Sequence, residues 1–213
     1  GQSVSVADLL HGVITLSGND ASALLVHGIS GSEAGFTTLM NEKAKEIGLR
    51  DSHFANAKGW PDGGKTYSTA RDLATIAERT LLDFPELYQQ FYATTSFRFN
   101  GIEQPNRNPI LGAVKGADGL KTGHTNEAGY GFTGSAEQDG RRLIMVVGGM
   151  PSNALRVSES VKFLNWGFTT TKARPLFKRD DIVGEAMVQG GTSHSVVLKV
   201  SRSTGASFIG GAS

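Results

Sequence analysis

The 213-residue sequence contains no cysteine. That single absence excludes disulfides, cysteine-ligated zinc, iron–sulfur clusters and thiol nucleophiles together. It leaves the redox compartment open, because a cysteine-free chain suits oxidising and reducing surroundings equally. An excess of one charge is also missing: 21 Lys and Arg face 20 Asp and Glu, a formal net charge of +1. So close a balance argues against a broad basic face, and therefore against a nucleic-acid partner. No apolar run approaches the ~18 residues of a membrane span. The opening Gly1-Gln2-Ser3-Val4-Ser5 has neither the basic nor the apolar region of a secretory leader, and no initiator Met. The chain therefore reads as processed, cut or excerpted. His11, His27, His53 and His194 lack partners at metal-ligand spacing, so no metal is expected.

Glycine is what the chain has in excess: 28 residues, roughly twice the usual ~7%. With 38% hydrophobic and 19% charged residues the composition is globular, and the length suits one domain plus a small appendage. Ser5-Val6-Ala7-Asp8 is a capping box, and Leu9, Leu10, Val13, Ile14 and Leu16 follow at helical spacing. That helix should stop at Ser17-Gly18-Asn19-Asp20, with Asp20 or Ser22 capping the next one, over Leu24, Leu25 and Val26. Residues 32–47 form the clearest helix, with Phe36, Leu39, Met40, Ala44 and Ile47 on one stripe. Residues 50–66 read as loop. Thr69-Ala70-Arg71-Asp72 is a second capping box, opening a helix that ends at Asp83 before Pro85. A short helix over 86–92 and a strand over 94–99 follow.

The pattern then turns to strands over 120–123, 130–136 and 142–149, the last two joined by the hairpin signal Gln138-Asp139-Gly140. A helix over 152–166 and strands over 183–188 and 195–200 complete the chain. The expected class is α/β of the α+β kind: an antiparallel sheet flanked by a helical cluster. Residues 1–170 are expected to belong to one domain, and 171–213 to the start of a small β-rich one, cut short.

Two tripeptides carry chemistry. Ser17-Gly18-Asn19 can project a hydroxyl and an amide from a helix end into a cleft. Lys121-Thr122-Gly123 offers a cation, a hydroxyl and a bare backbone that an extended ligand can approach and pair with. Lys and Thr together suit a carboxylate. Asp118 reads as a turn or ion-pair residue, and Phe91, Tyr92, Phe97 and Phe99 as core.

With these in order, the sequence resembles the D-alanyl-D-alanine carboxypeptidases, the low-molecular-weight penicillin-binding proteins, whose signature combines S-x-x-K, an S-D-N variant and K-T-G. The resemblance extends over about residues 5–190. It is carried also by His53-Phe54-Ala55-Asn56, Tyr67-Ser68-Thr69-Ala70-Arg71-Asp72-Leu73, Pro105-Asn106-Arg107-Asn108, Asp118 to Thr125, Ala128-Gly129-Tyr130 and Trp166-Gly167-Phe168. It implies the penicillin-binding, β-lactamase-like transpeptidase fold. One departure is large: no serine here is followed by lysine three positions on. Ser68-Thr69-Ala70-Arg71 comes nearest, but arginine does not give up its proton at accessible pH. The segment bearing the nucleophile is expected upstream of Gly1.

The resemblance implies a serine acyl-enzyme route that removes the terminal D-alanine from peptidoglycan stem peptides, without a cofactor and blocked by β-lactams. Ser17 would relay the proton to the leaving amine, Asn19 would bond the substrate amide, and Lys121 would hold a positive potential over the site. Thr122 would bind the terminal carboxylate, with Arg156 helping, while Gly123 keeps the strand edge open. The His124 N–H would supply half of the oxyanion hole. A periplasmic or cell-envelope location is implied, with membrane association only through a C-terminal anchor that this sequence does not include. Two alternatives stay open. One is a β-lactamase or esterase on the same scaffold, with Glu103 or Glu127 as a deacylating base. The other is a non-catalytic binding remnant that kept the carboxylate site.

Overall fold

The computed structural model describes residues 1 and 3–209, in two compact units, 1–165 and 166–213. In the first unit, α1 (Val6–Leu16) starts where the Ser5 hydroxyl accepts from the Asp8 amide at 3.0 Å. It ends because Ser17 turns left-handed and the Gly18 amide reaches back to the Gly12 carbonyl at 2.9 Å. α2 (Asn19–Ser30) begins at once, with Gly18 as its N-cap. Neither Asp20 nor Ser22 caps it. Asp20 already lies in the first turn, where its carboxylate accepts from the Ala21 amide, and the Ser22 hydroxyl donates to the Ala57 carbonyl. The break between the helices is thus shorter than the turn-rich composition suggests, and Gly28 stays helical because the left-handed stop comes only at Gly31.

α3 (Glu33–Glu46), α4 (Ala70–Asp83) and α5 (Pro85–Phe91) follow the sequence reading closely. β1 (Ser96–Phe99) and β2 (Ile102–Pro105) then form a hairpin across Asn100-Gly101, both at positive φ. An Asn-Gly pair between two short strands is the strongest short-range hairpin signal, and β2 is a strand that the sequence reading lacks. β3 (Ala117–Thr125), β4 (Gly129–Gln138) and β5 (Arg141–Met150) make an antiparallel sheet in the order β3-β4-β5. Asp139 and Gly140 form the β4–β5 turn with φ of 52° and 74°. α6 spans Asn153–Thr170.

The core between helices and sheet gathers Ala77 from α4, Tyr88 from α5 and Leu120 from β3, with Leu81, Tyr92 and Ile144 packed around them. In the second unit, β6 (Thr171–Phe177) pairs with β9 (Thr204–Ile209), and β7 (Ile182–Met187) with β8 (Ser195–Lys199). β6 and β9 are new relative to the sequence reading, because Pro175 and the weak alternation of 204–209 hide them. Among the described residues no helix is long and apolar enough to cross a membrane.

Asp72 fastens the 50–66 loop to this frame. It lies inside α4, only 3% exposed. Its carboxylate accepts from the Ser52 hydroxyl at 2.7 Å and from the amides of Asp51 and Arg50 at 2.8 and 3.4 Å. The Ser52 hydrogen bond, followed by those two amides, outweighs burial and holds the carboxyl below its ordinary pKa. A carboxyl depressed in the folded state stabilises above its unfolded value and loses that contribution as pH falls through the folded value. Asp72→Ala should therefore lower the thermal midpoint at pH ~7, and the gap to the parent protein should narrow below pH ~4. Melting curves of both proteins by circular dichroism at the two pH values check this; a gap that is constant with pH would contradict it.

Candidate active site

The break between α1 and α2 places the first site residue. Ser17 sits at φ 58° and ψ 41°, a conformation that costs a non-glycine residue ~1–2 kcal/mol and persists only where neighbours enforce it. The enforcement is visible. The Ser17 amide bonds the Val13 carbonyl at 3.1 Å, and Gly18 is packed so tightly that a Cβ there would lie 3.0 Å from the Asp20 carboxylate and 3.2 Å from the Gly12 carbonyl.

Lys121 approaches from β3. Its ammonium donates to the Ser17 hydroxyl, 104 residues away in sequence, and to the Thr122 carbonyl at 2.8 Å. Burial pushes the Lys121 pKa down, and the like charges of Arg107 and Arg156 push it further, to about 8. Near neutral pH the amine is still mainly protonated, but it holds its proton loosely.

Arg107 is the residue to which the sequence reading gave no role. The motif that contains it, Pro105-Asn106-Arg107-Asn108, carried the resemblance, yet nothing in its spacing says that it meets Lys121. Its position is fixed by backbone bonds: Arg107 N–H to the Thr15 carbonyl at 3.3 Å, and Asn106 N–H to the Thr95 carbonyl at 2.8 Å. The Asn106 and Asn108 side chains clamp the segment further, accepting from the amides of Asn108 and Ile110.

Arg156 enters from α6 and is nearly buried, 9% exposed. One guanidinium nitrogen lies 3.4 Å from the carbonyls of both Gly123 and Gly131, which face each other across β3 and β4. The other donates to the Asn153 side chain at 2.6 Å, and the group stands 5.5 Å from the centre of the Tyr130 ring. Arg156 thus braces the backbone behind the strand while adding its charge to the site.

Thr122 is half-buried and follows Lys121 on β3, opposite Phe132. Gly123 is exposed, and a Cβ there would meet open space. His124 is exposed as well, its ring 3.8 Å from that of Tyr130. Among the described residues β3 pairs only with β4, so no strand covers its other edge. Asn19 stands exposed at the first position of α2, two residues beyond Ser17, and is not bonded into the cluster. Glu103 is engaged elsewhere: it accepts from the Ser96 hydroxyl at 2.8 Å and faces Arg98 at 3.3 Å across the β1–β2 hairpin.

The geometry therefore joins a hydroxyl, a loosely protonated lysine and two further cations beside an open strand edge. Such a site suits an extended peptide ending in a carboxylate.

Residues 1–152 match a family described as D-alanyl-D-alanine carboxypeptidase. The chain is 41% identical over 197 residues to the D-alanyl-D-alanine carboxypeptidase DacA of Haemophilus influenzae, covering 92% of this chain and 50% of that protein. With DacC of Escherichia coli it shares 43% over 180 residues, 82% of this chain and 44% of that one. The chain thus spans about half the length of the curated relatives it matches. Among solved structures, penicillin binding protein 5 from Haemophilus influenzae superposes with a TM-score of 0.87 at 38% identity, over 99% of this chain and 61% of that chain. Penicillin-Binding Protein D2 from Listeria monocytogenes, solved with ampicillin bound, gives 0.73 at 33% identity, over 79% and 69%. A mixed helix-and-sheet unit with a Ser-Gly-Asn helix break facing a Lys-Thr-Gly strand, matched over most of its length by these relatives, belongs to the D-alanyl-D-alanine carboxypeptidase family.

Proposed function

We propose that these residues form the carboxylate-binding and proton-relay part of a serine D-Ala-D-Ala carboxypeptidase site. The observation that carries this reading is the hydrogen bond between Lys121 and Ser17 across 104 residues of sequence. The substrate class is a peptidoglycan stem peptide ending in D-Ala-D-Ala, and β-lactams are the expected inhibitors. The peptide lies along the open edge of β3 at Gly123. Its terminal carboxylate meets the Thr122 hydroxyl in the positive field of Lys121, Arg107 and Arg156, and Asn19 offers its amide to the substrate amide.

The attacking serine and its base come from an S-x-x-K segment that these 213 residues do not contain. Its oxygen adds to the penultimate carbonyl, whose oxyanion is held partly by the His124 N–H. The C–N bond then breaks, and the departing D-alanine amine takes the proton passed through Ser17. Water hydrolyses the ester and frees the serine. No cofactor enters. The same reading places the protein in the cell envelope and treats residues from 171 onward as the start of a separate β-rich domain.

A second reading is a binding module that uses the same carboxylate site without turnover. Intact-mass measurement of the complete protein after incubation with a penicillin separates the two: a covalent adduct supports the enzyme, and its absence together with retained peptide binding supports the module.

A charge-assisted hydrogen bond contributes ~1.5–3 kcal/mol, and ~1.4 kcal/mol is tenfold. Lys121→Ala should thus cost the complete enzyme at least about tenfold in turnover of a D-Ala-D-Ala peptide, and Thr122→Ala a smaller loss in the same direction. Unchanged steady-state rates in Lys121→Ala would contradict the assignment.

The binding of a carboxylate-ended peptide should also weaken as pH rises through about 8, where Lys121 loses its proton. Arg107→Gln removes a like charge, so it should raise the Lys121 pKa toward its ordinary value. The alkaline limb should then move upward while affinity at neutral pH falls. Calorimetric titration with an acetylated D-Ala-D-Ala peptide on either side of pH 8 reads both effects; a limb unmoved by Arg107→Gln would remove Arg107 from the site.

A further inference from the structure

The strand that delivers Lys121 departs from regular pairing at one place near its start. Ala117 faces Ala136 and Gly119 faces Ser135, so Asp118 is an extra residue, a bulge. Beyond it the register sets Leu120 opposite Gly134, Lys121 opposite Thr133 and Thr122 opposite Phe132. Continuing the Ala117–Ala136 register without the bulge would bring Lys121 opposite Phe132, which lies on the buried face of the sheet. A slip of one residue exchanges the faces of every following side chain. Leu120 would then take the place of Lys121.

The bulge is held from three sides. The Asp118 carboxylate accepts from the Tyr88 hydroxyl of α5 at 2.8 Å and from the Arg142 guanidinium of β5 at 2.8 Å. The same Arg142 nitrogen donates to the Ser135 hydroxyl of β4 at 2.7 Å, and its neighbour to the Glu137 carboxylate at 2.7 Å. Ser135 is fully buried and is the residue that faces Gly119. The guanidinium also stands 5.6 Å from the centre of the Tyr88 ring. Burial, and then the charge of Asp118, raise the Tyr88 pKa, so its hydroxyl remains a donor at any working pH. Two glycines make room for the lock. A Cβ at Gly119 would fall on the Tyr88 hydroxyl, and one at Gly116 on the Glu137 carbonyl.

We propose that Asp118, clamped by Tyr88 and Arg142, is a positioning residue that fixes the register of β3 and thereby brings Lys121 to Ser17. Asp118 touches no reacting atom and acts only through the strand. The proposal rests on the reading of Lys121 as a site cation, but it concerns how that cation is placed.

The test uses Asp118→Ala, Asp118→Asn and Tyr88→Phe in the complete protein. Nuclear magnetic resonance follows the cross-strand contacts between Lys121 and Thr133 and the titration of the Lys121 amine. Calorimetry follows binding of an acetylated D-Ala-D-Ala peptide. In Asp118→Ala the contacts should weaken, the titration should move away from about 8 as Lys121 leaves Ser17 and the two arginines, and peptide affinity should fall at least about tenfold. Asp118→Asn keeps an acceptor for Tyr88 and should restore part of each effect, which a general loss of stability would not do. A folded Asp118→Ala with unchanged contacts and titration overturns the proposal. Should Asp118→Ala not fold, Tyr88→Phe decides, since it removes one hydroxyl and leaves the ring: a shift in the same direction supports the lock, and unmoved signals overturn it. If the parent protein binds no peptide, the functional reading fails, while the contacts and the titration still decide the register.

Discussion

The bond between Lys121 and Ser17 is the contact on which the rest of the site depends. It joins a strand to a helix end that sequence separation would otherwise leave independent, and it needs two unusual backbone states at once. Ser17 must stay left-handed, although it bears a side chain, and β3 must carry one residue more than its partner strand. Each condition is met by local packing: the glycine after Ser17 fits between Asp20 and Gly12, and the carboxylate of the extra residue is shared by a tyrosine and an arginine. Both backbone states are thus held by packing and hydrogen bonds close by, and, on the proposed function, these hold the site's groups in place before substrate arrives.

Its electrostatics follow from the same placement. Three cations converge, and two of them are held by backbone: Arg107 through the Thr15 carbonyl and Arg156 through its contacts at Gly123 and Gly131. Burial disfavours the charged form of Lys121, and the like charges of Arg107 and Arg156 add to that. On the proposed reading, an incoming carboxylate offsets the like charges. The like charges that, after burial, loosen the lysine proton are on that reading also what favours an anionic chain end.

The sequence made some of this legible and hid the rest. Ser17-Gly18-Asn19 and Lys121-Thr122-Gly123 were readable because each residue type has a chemistry of its own, and the capping boxes at Ser5 and Thr69 marked helix starts by local hydrogen bonding alone. β2 was signalled only by the turn at Asn100-Gly101, because its own four residues, Ile102 to Pro105, carry no apolar alternation. Arg107 was invisible as a site residue, since its meeting with Lys121 depends on where a loop is pinned. Asp118 was legible as an ion-pair residue but not as a bulge, because register is a property of two strands rather than one. The caps expected at Asp20 and Ser22 failed for a related reason: a glycine in extended backbone began α2 before either residue was reached.

Gly123 shows how folding and recognition can be separated at one position. The fold asks nothing of it: it has no left-handed backbone angle, and a side chain added there would project into open space. Gly119, four residues earlier, is constrained by Tyr88. A library of variants sorted by solubility would accept almost any residue at 123 and return glycine at 119. On the proposed function, sorting by capture on an immobilised peptide would recover glycine at both. The two glycines of one strand thus answer to different demands: Gly119 to the packing of Tyr88 and, on the proposed reading, Gly123 to an approaching peptide.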